Sequence, residues 1–179
     1  MESARGQLLI AGPTLLDPNF WRTVVLVVEH NEEGALGLVL NRPSETVVSD
    51  AVPELAELID GDKLLYIGGP VQPAAVVVLA RFEDPSDSAL IAFDDVGVLA
   101  SGDPNEDAGV IEGRAFVGHA GWGAGQLDAE IQRGDWILEP AQRGDAFSES
   151  PRDLWASVLT RKGGSYALVA RMPPDPSSN

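Results

Sequence analysis

The sequence contains no cysteine among its 179 residues. This excludes disulfides, thiolate nucleophiles, iron–sulfur clusters and zinc sites built on thiolates. Long hydrophobic runs are also missing, because the longest apolar stretches are residues 24–28 and 74–80. Both are far shorter than the roughly 20 residues that cross a bilayer. We therefore expect no contact with a membrane.

Basic residues are scarce. The chain has 12 lysines and arginines against 28 acidic residues, which gives a formal net charge of −16. Such a surface repels nucleic acid and anionic lipid, and we therefore predict no direct binding of nucleic acid. The N-terminus has no charged flank followed by a long apolar segment and a cleavage site, which a secretory signal needs. We expect a cytoplasmic protein.

The apolar content of 44% is typical of a globular chain that is long enough for one hydrophobic core. We predict a single domain over residues 1–172. A flexible C-terminal tail is predicted over residues 173–179, which are polar and rich in proline.

Short elements alternate along the chain without an internal repeat. Residues 50–60, 126–132 and 151–162 have the apolar spacing and the end signals of helices. The region 94–113 is rich in aspartate and glycine, and a short helix is an option there. Strands are predicted over residues 8–11, 23–30, 35–40, 64–67, 74–80, 89–93, 114–119, 135–138 and 166–170.

A glycine-rich stretch at residues 118–136, GHAGWGAGQLDAEIQRGDW, has two interpretations. As a dinucleotide fingerprint it is incomplete, because Gln126 stands where the third glycine would be. Asp128 and Glu130 would also oppose a phosphate at the start of the following helix. We favour the second interpretation, a tight corner between a strand and a helix that Trp122 anchors.

Polar residues offer three kinds of site. A metal site of two histidines and one carboxylate is disfavoured, because the adjacent Glu29 and His30 point to opposite faces of a strand. A serine–histidine–aspartate triad has no nucleophile elbow to support it. An arginine in the loop Asn41-Arg42-Pro43, beside Gly68-Gly69-Pro70, could bind an anion in a cleft or form a structural ion pair. Both of these readings of the arginine stay open.

Several motifs together resemble the YqgE/AlgH family of bacterial proteins, over residues from about 6 to about 160. The resemblance implies an α+β fold with a mixed, largely antiparallel sheet that closes into a small six-stranded barrel with flanking helices. It also implies a family often labelled as transcriptional regulators, without an established molecular activity. One departure is His119, at a position where the family more often has an aromatic residue. The motifs are GQLLIA at 6–11, DPNF at 17–20, RTVV at 22–25, EHN at 29–31, GALGLVLNRP at 34–43, GGPV at 68–71, AGWG at 120–123, GQL at 125–127 and Glu130.

The residues and the resemblance together predict a non-enzymatic regulatory or protein-interaction protein with an unidentified protein partner. The alternative is a protein that binds a small molecule or a small anion, or an enzyme, with a cleft near Arg42, Gly68-Gly69 and Gln126. No catalytic residue, metal or cofactor is assigned. The candidate ligand-binding residues are Asn41, Arg42, Gly68, Gly69, Trp122, Gln126 and Glu130.

Overall fold

The computed structural model describes residues 3–99 and 109–173. The strands are β1 Gln7–Ala11, β2 Val24–Asn31, β3 Gly34–Val39, β4 Pro43–Val47, β5 Leu64–Ile67, β6 Val71–Phe82, β7 Ser88–Phe93, β8 Val96–Leu99, β9 Val110–Gly123 and β10 Trp136–Pro140. The α-helices are α1 Val48–Ala51, α2 Gln126–Gln132, α3 Arg143–Ala146, α4 Leu154–Lys162 and α5 Ser165–Val169. Short 3-10 turns lie at Pro53–Leu55, Pro85–Asp87 and Pro151–Asp153.

All ten strands belong to one curled sheet with the order β10-β1-β2-β3-β9-β6-β8-β7, and β5 joins β4 to β9. Every pairing is antiparallel except that of β5 with β9. The α+β class is confirmed, but the prediction of a closed six-stranded barrel is wrong. The two ends of the strand order, β10 and β7, form no ladder with each other in the described residues. The sheet is therefore a curled half-barrel.

The sheet curls along β9, which pairs with strands of both halves of the sheet. Its last residues pair with β3, whereas its first residues pair with β6. Between them, Gly118 has a φ of 73°, a backbone conformation that favours glycine. The chain can bend there because no side chain obstructs the carbonyl oxygen of Gly69. The bend turns the two halves of the sheet towards each other without closing them.

Helices and short turns cover both faces of β1 to β3, which explains the continuous apolar run of β2. One face of β1 to β3 packs under α4, where Trp155 and Leu159 are buried. The opposite face packs under α2 and the tryptophan corner. A third cluster fills the space between the residues of α1 and of Pro53–Leu55 and the sheet of β5, β6 and β9. Strand β2 is accordingly buried from Val24 to Val28 on both faces, as predicted.

Three predictions about elements need correction. The helix predicted over residues 50–60 is broken into α1 and a 3-10 turn, because Pro53 cannot continue an α-helix. Residues 166–170 belong mainly to helix α5 instead of a strand, since Tyr166, Val169 and Ala170 recur at helical spacing and pack against the core. Strand β8 occupies part of the region where a short helix was considered. Of the rest of that region, residues 110–113 belong to β9, and residues 100–108 lie outside the described residues.

Among the residues that the structure describes, no helix is both long and apolar enough to span a membrane. Residues 174–179 of the predicted tail lie outside the described residues.

Candidate functional site

The glycine-rich corner joins β9 to α2, and one carboxylate holds it together. Glu130 Oε1 accepts hydrogen bonds from the indole nitrogens of Trp122, at 3.1 Å, and Trp136, at 3.0 Å. Its second oxygen, Oε2, accepts one from the Gln126 side-chain amide at 3.0 Å. Gly125 has a φ of 73° and turns the backbone into α2. Trp122 is 7% exposed, so its ring belongs to the core.

The same corner offers little to a phosphate. The backbone N–H of Gly123 already donates to Oε1 of Gln126 at 3.0 Å, and Asp128 lies in the first turn of α2. A phosphate would have to displace the first contact and would be repelled by the carboxylate. Phe20 packs edge-on against Trp136 with ring centroids 5.6 Å apart. This geometry supports the structural interpretation of the corner.

Asn41 and Arg42 form the loop after β3, and their polar atoms are bound to the backbone. Asn41 Oδ1 accepts from the N–H of Val24 at 3.0 Å, and its Nδ2 donates to the carbonyl oxygen of Arg22 at 2.9 Å. The Arg42 guanidinium donates to the carbonyl oxygens of Asn19 and Trp21, both at 3.1 Å. Burial lowers the pKa of Arg42, while the charge of Asp17 acts in the opposite direction. The loop therefore fastens the turn at residues 17–22 to the sheet.

Gly68 and Gly69 allow two backbones to approach closely. The N–H of Gly68 donates to the carbonyl oxygen of Val117 at 2.8 Å, and its own carbonyl accepts from Val39 at 2.9 Å. Gly69 has a φ of 153°, and a Cβ atom on it would collide with the backbone of His119. The chain between β5 and β6 therefore needs glycine at both positions to pass close to β9.

The predicted ligand-binding residues fall into two groups at opposite ends of β3. Gly34, at the start of β3, pairs with Gly123 beside the tryptophan corner. Val39, at its end, bonds to Gly68 beside the Arg42 loop. Five residues of strand separate these points, about 17 Å. No hydrogen bond joins the two groups among the described residues, although Phe20, which lies between the two residues whose carbonyl oxygens hold Arg42, packs against Trp122 with ring centroids 6.3 Å apart. Ligand binding by either group stays a prediction.

The two histidines do not share a site. His30 is buried, and its Nδ1 accepts a hydrogen bond from the N–H of Ala4 at 2.7 Å. Because Nδ1 accepts, the ring proton is on Nε2, which lies 3.0 Å from Asp128 Oδ1. His119 lies on β9, and burial lowers its pKa from the usual value of 6.5. In the described ranges 3–99 and 109–173, no group of three or more potential ligands could hold a metal ion.

An exposed apolar surface crosses three strands on one face of the sheet. Val117 of β9 pairs with Ile67 of β5 on one side and with Val76 of β6 on the other. Ile67 and Val76 are 46% and 41% exposed. We call Ile67, Val76 and Val117 the valine strip.

Sequence reasoning missed the valine strip and a cavity around Arg114. The strip depends on how three strands that lie far apart in the chain pair with one another. The cavity depends on β5, β9 and the loop at residues 147–149, which meet only in the folded protein. No local pattern in the sequence signals either feature.

Comparison with known proteins agrees with the motifs. The profile of the AlgH-like family, DUF179, matches residues 8–167. A UPF0301 protein of Mycolicibacterium smegmatis is 44% identical over 97% of this chain and 90% of its own length. A UPF0301 protein of Chlorobaculum tepidum is 41% identical over 97% of this chain and 95% of its own. None of these names states an activity.

Two solved structures have the same fold. A crystal structure of a Corynebacterium diphtheriae protein superposes with a TM-score of 0.85 at 30% identity, covering 95% of this chain and 93% of the other. The solution structure of the AlgH protein from Pseudomonas aeruginosa gives a TM-score of 0.72 at 30% identity, covering 97% and 96%. Sequence motifs, family profile and fold agree, and the chain belongs to the AlgH-like family, the YqgE/AlgH family that its motifs resemble.

Proposed function

We propose that this protein acts in the cytoplasm by binding another protein, in a regulatory or adaptor role without catalysis, and that the valine strip is its contact surface. The observation that carries this proposal is the contiguity of the strip. Ile67, Val117 and Val76 lie side by side on three neighbouring strands. Contiguous exposed apolar side chains are typical of protein-binding surfaces, whereas scattered ones are common everywhere.

The strip continues a buried cluster instead of standing alone on the surface. Val117 packs against the cluster that includes Leu65 and Ala115 beneath α1. The residues of α1 and of Pro53–Leu55 cover that cluster but leave Ile67 and Val76 exposed. A partner that covers the strip would extend an existing core, which favours a firm and well-packed contact.

The charge of the chain specifies the chemistry of the partner. With a formal charge of −16, this protein would attract a partner whose apolar contact surface has a basic rim. The same charge disfavours nucleic acid as the partner. Two arginines are also already engaged with carboxylates: Arg161 bonds to Asp145 at 2.8 Å, and Arg81 to Asp95 at 3.3 Å. Regulation by this protein would therefore be indirect.

The test is affinity capture from a lysate of the native cells with three baits, followed by reconstitution from purified proteins. The baits are the wild type, Val76→Glu in the strip, and Leu168→Glu on α5 as the control, since Leu168 is 66% exposed. We expect one basic protein to bind the wild type and the control but not Val76→Glu. Parallel analysis of metabolites and metals covers the alternative function. A stoichiometric small molecule without a protein partner would contradict the proposal.

Self-association is a separate outcome of the same design. Sedimentation of the three purified baits distinguishes it from binding to a different protein. A dimer that forms in the wild type and is abolished by Val76→Glu would assign the strip to a second copy of this chain and overturn the proposal of a different partner.

A further inference from the structure

A cavity of about 520 Å³ opens at the point where β5 and β9 separate. The two strands pair only at Tyr66 and Ile67 of β5. The segment just before β5 and residues 147–149 complete the lining. The cavity is distinct from the valine strip, from the tryptophan corner and from the Arg42 loop.

Arg114 lines this cavity in an unusual environment. Its guanidinium stacks over the Tyr66 ring, 4.4 Å from the centroid, and donates to the carbonyl oxygens of Ser148 at 2.9 Å and Ala146 at 3.4 Å. These contacts fix the orientation of the side chain. They use only part of a group that has five N–H donors.

Arg114 has no ionic partner within 4 Å in the described part of the chain, unlike Arg161, which lies 2.8 Å from the Asp145 carboxylate. Burial lowers the pKa of Arg114, while Tyr66, Glu112 and Glu149 act in the opposite direction. A partly desolvated guanidinium that is bound only to carbonyls gains most from an added carboxylate, which it can contact with two N–H groups.

The rim of the cavity is acidic, which limits the choice of anion. Asp60, Asp62 and Glu149 are exposed there, with Lys63 as the one rim lysine in the described lining. Glu112 also lies at the rim but is 3.7 Å from Arg81 across the β6–β9 ladder. Glu149 directly follows Ser148, whose carbonyl holds Arg114. A simple anion would be repelled at this entrance, whereas a ligand with an outward cationic group would be attracted.

Besides Arg114 and the acidic side chains, the cavity has an apolar lining that includes Ile59, Ile111 and Phe147. We propose that this cavity binds a zwitterion of the α-amino-acid type, with its carboxylate on Arg114, its ammonium group towards Glu149 and its side chain against the apolar walls. The volume suits such a small molecule, because ligand cavities are usually in the range of about 300 to 1,000 Å³. This inference does not depend on the proposed protein contact.

The test compares three probes that share one ring: L-phenylalanine, 3-phenylpropionate, which lacks the ammonium group, and phenethylamine, which lacks the carboxylate. Binding to the full chain is measured by amide chemical shifts at millimolar concentrations. We expect L-phenylalanine to bind best and 3-phenylpropionate more weakly, with shifts at residues 111–115 and 147–149, and phenethylamine not to bind. No binding of L-phenylalanine, or stronger binding of phenethylamine, would overturn the proposal.

Matched variants locate the site. Arg114→Gln should weaken the binding of L-phenylalanine by about tenfold or more, the scale of a lost hydrogen bond to a charged group. Arg42→Gln is the control, because Arg42 also donates to backbone carbonyls but lies in another loop. Loss of binding in Arg42→Gln alone would move the site to that loop and overturn the proposal.

Two further variants keep the test decisive if Arg114→Gln does not fold. Ile111→Trp at the mouth, where Ile111 is 51% exposed, should block binding without touching the guanidinium. Glu149→Gln should reduce the affinity for L-phenylalanine to that for 3-phenylpropionate. Unchanged binding of L-phenylalanine in both variants would contradict the proposed site.

Discussion

Trp122 and Trp136 donate their indole N–H groups to the same oxygen atom, Oε1 of Glu130, at 3.1 and 3.0 Å. Their rings meet edge-on with centroids 6.2 Å apart. One strand end, one helix and one following strand are thus fastened at a single carboxylate. The glycine-rich corner is explained by this packing, and no bound ligand is needed to account for its sequence.

Replacing Trp122 should destabilise the fold substantially. Trp122→Ala removes a buried ring and leaves Glu130 with one donor fewer, and we expect the free energy of unfolding to fall by about 3 kcal/mol. Denaturant titration measures this. The control is Trp21→Ala, since Trp21 is 37% exposed and its ring contacts the Arg22 guanidinium. The control should lose about 1 kcal/mol or less, and an unchanged midpoint for Trp122→Ala would refute the role of the ring.

The stability of the protein should depend on His119 at mildly acidic pH. Burial lowers the pKa of His119 below its usual value of 6.5, so the unfolded chain binds the proton more readily than the folded chain. The free energy of unfolding must then fall as the pH drops below 6.5 towards the pKa of His119 in the folded protein. Above pH 6.5, the contribution of His119 to the free energy of unfolding does not change with pH.

Comparison with His119→Gln isolates this contribution from that of the carboxylates. The difference in unfolding free energy between wild type and variant should be constant above pH 6.5 and should move against the wild type as the pH falls. A difference that moves in favour of the wild type on acidification would mean that the folded protein stabilises the imidazolium, contrary to this account.

Local sequence signals sufficed where the structure is local. The corner at residues 121–132 was predicted because its glycines mark the turn and Leu127 and Ile131 recur at helical spacing. The strands at residues 23–30 and 35–40 were predicted for a similar reason, from two short apolar runs, and they pair with each other as β2 and β3.

The pairing of strands that lie far apart in the chain could not be predicted from the sequence. The closed barrel was expected from the resemblance, but the long strand β9 divides its pairing between β3 and β6 and leaves β7 and β10 as edges. The valine strip needs the register of β5, β9 and β6 to bring Ile67, Val117 and Val76 into one row. Arg114 meets the carbonyl oxygen of Ser148 across 34 residues of chain. No periodicity in the sequence encodes these contacts.

Direct binding to DNA should not be detectable. A specific complex commonly uses about 6 to 10 phosphate contacts from basic side chains. Here many of those side chains are already engaged: Arg22, for example, donates to the carbonyl oxygens of Met172 and Pro173, and Lys162 to that of Leu138. Anisotropy titrations on random and own-promoter duplexes at low salt give binding its best chance. Micromolar binding that weakens with added salt would make regulation direct.

The central claim is that the valine strip binds another protein, and the affinity of the purified pair tests it most directly. Isothermal titration of the captured partner into wild type, Val76→Glu and Leu168→Glu measures the contribution of the strip. A charge in the middle of an apolar contact should cost at least about 2 kcal/mol, or about thirtyfold in the dissociation constant. We predict this loss for Val76→Glu and an unchanged affinity for Leu168→Glu; equal affinities for the wild type and Val76→Glu would contradict the account.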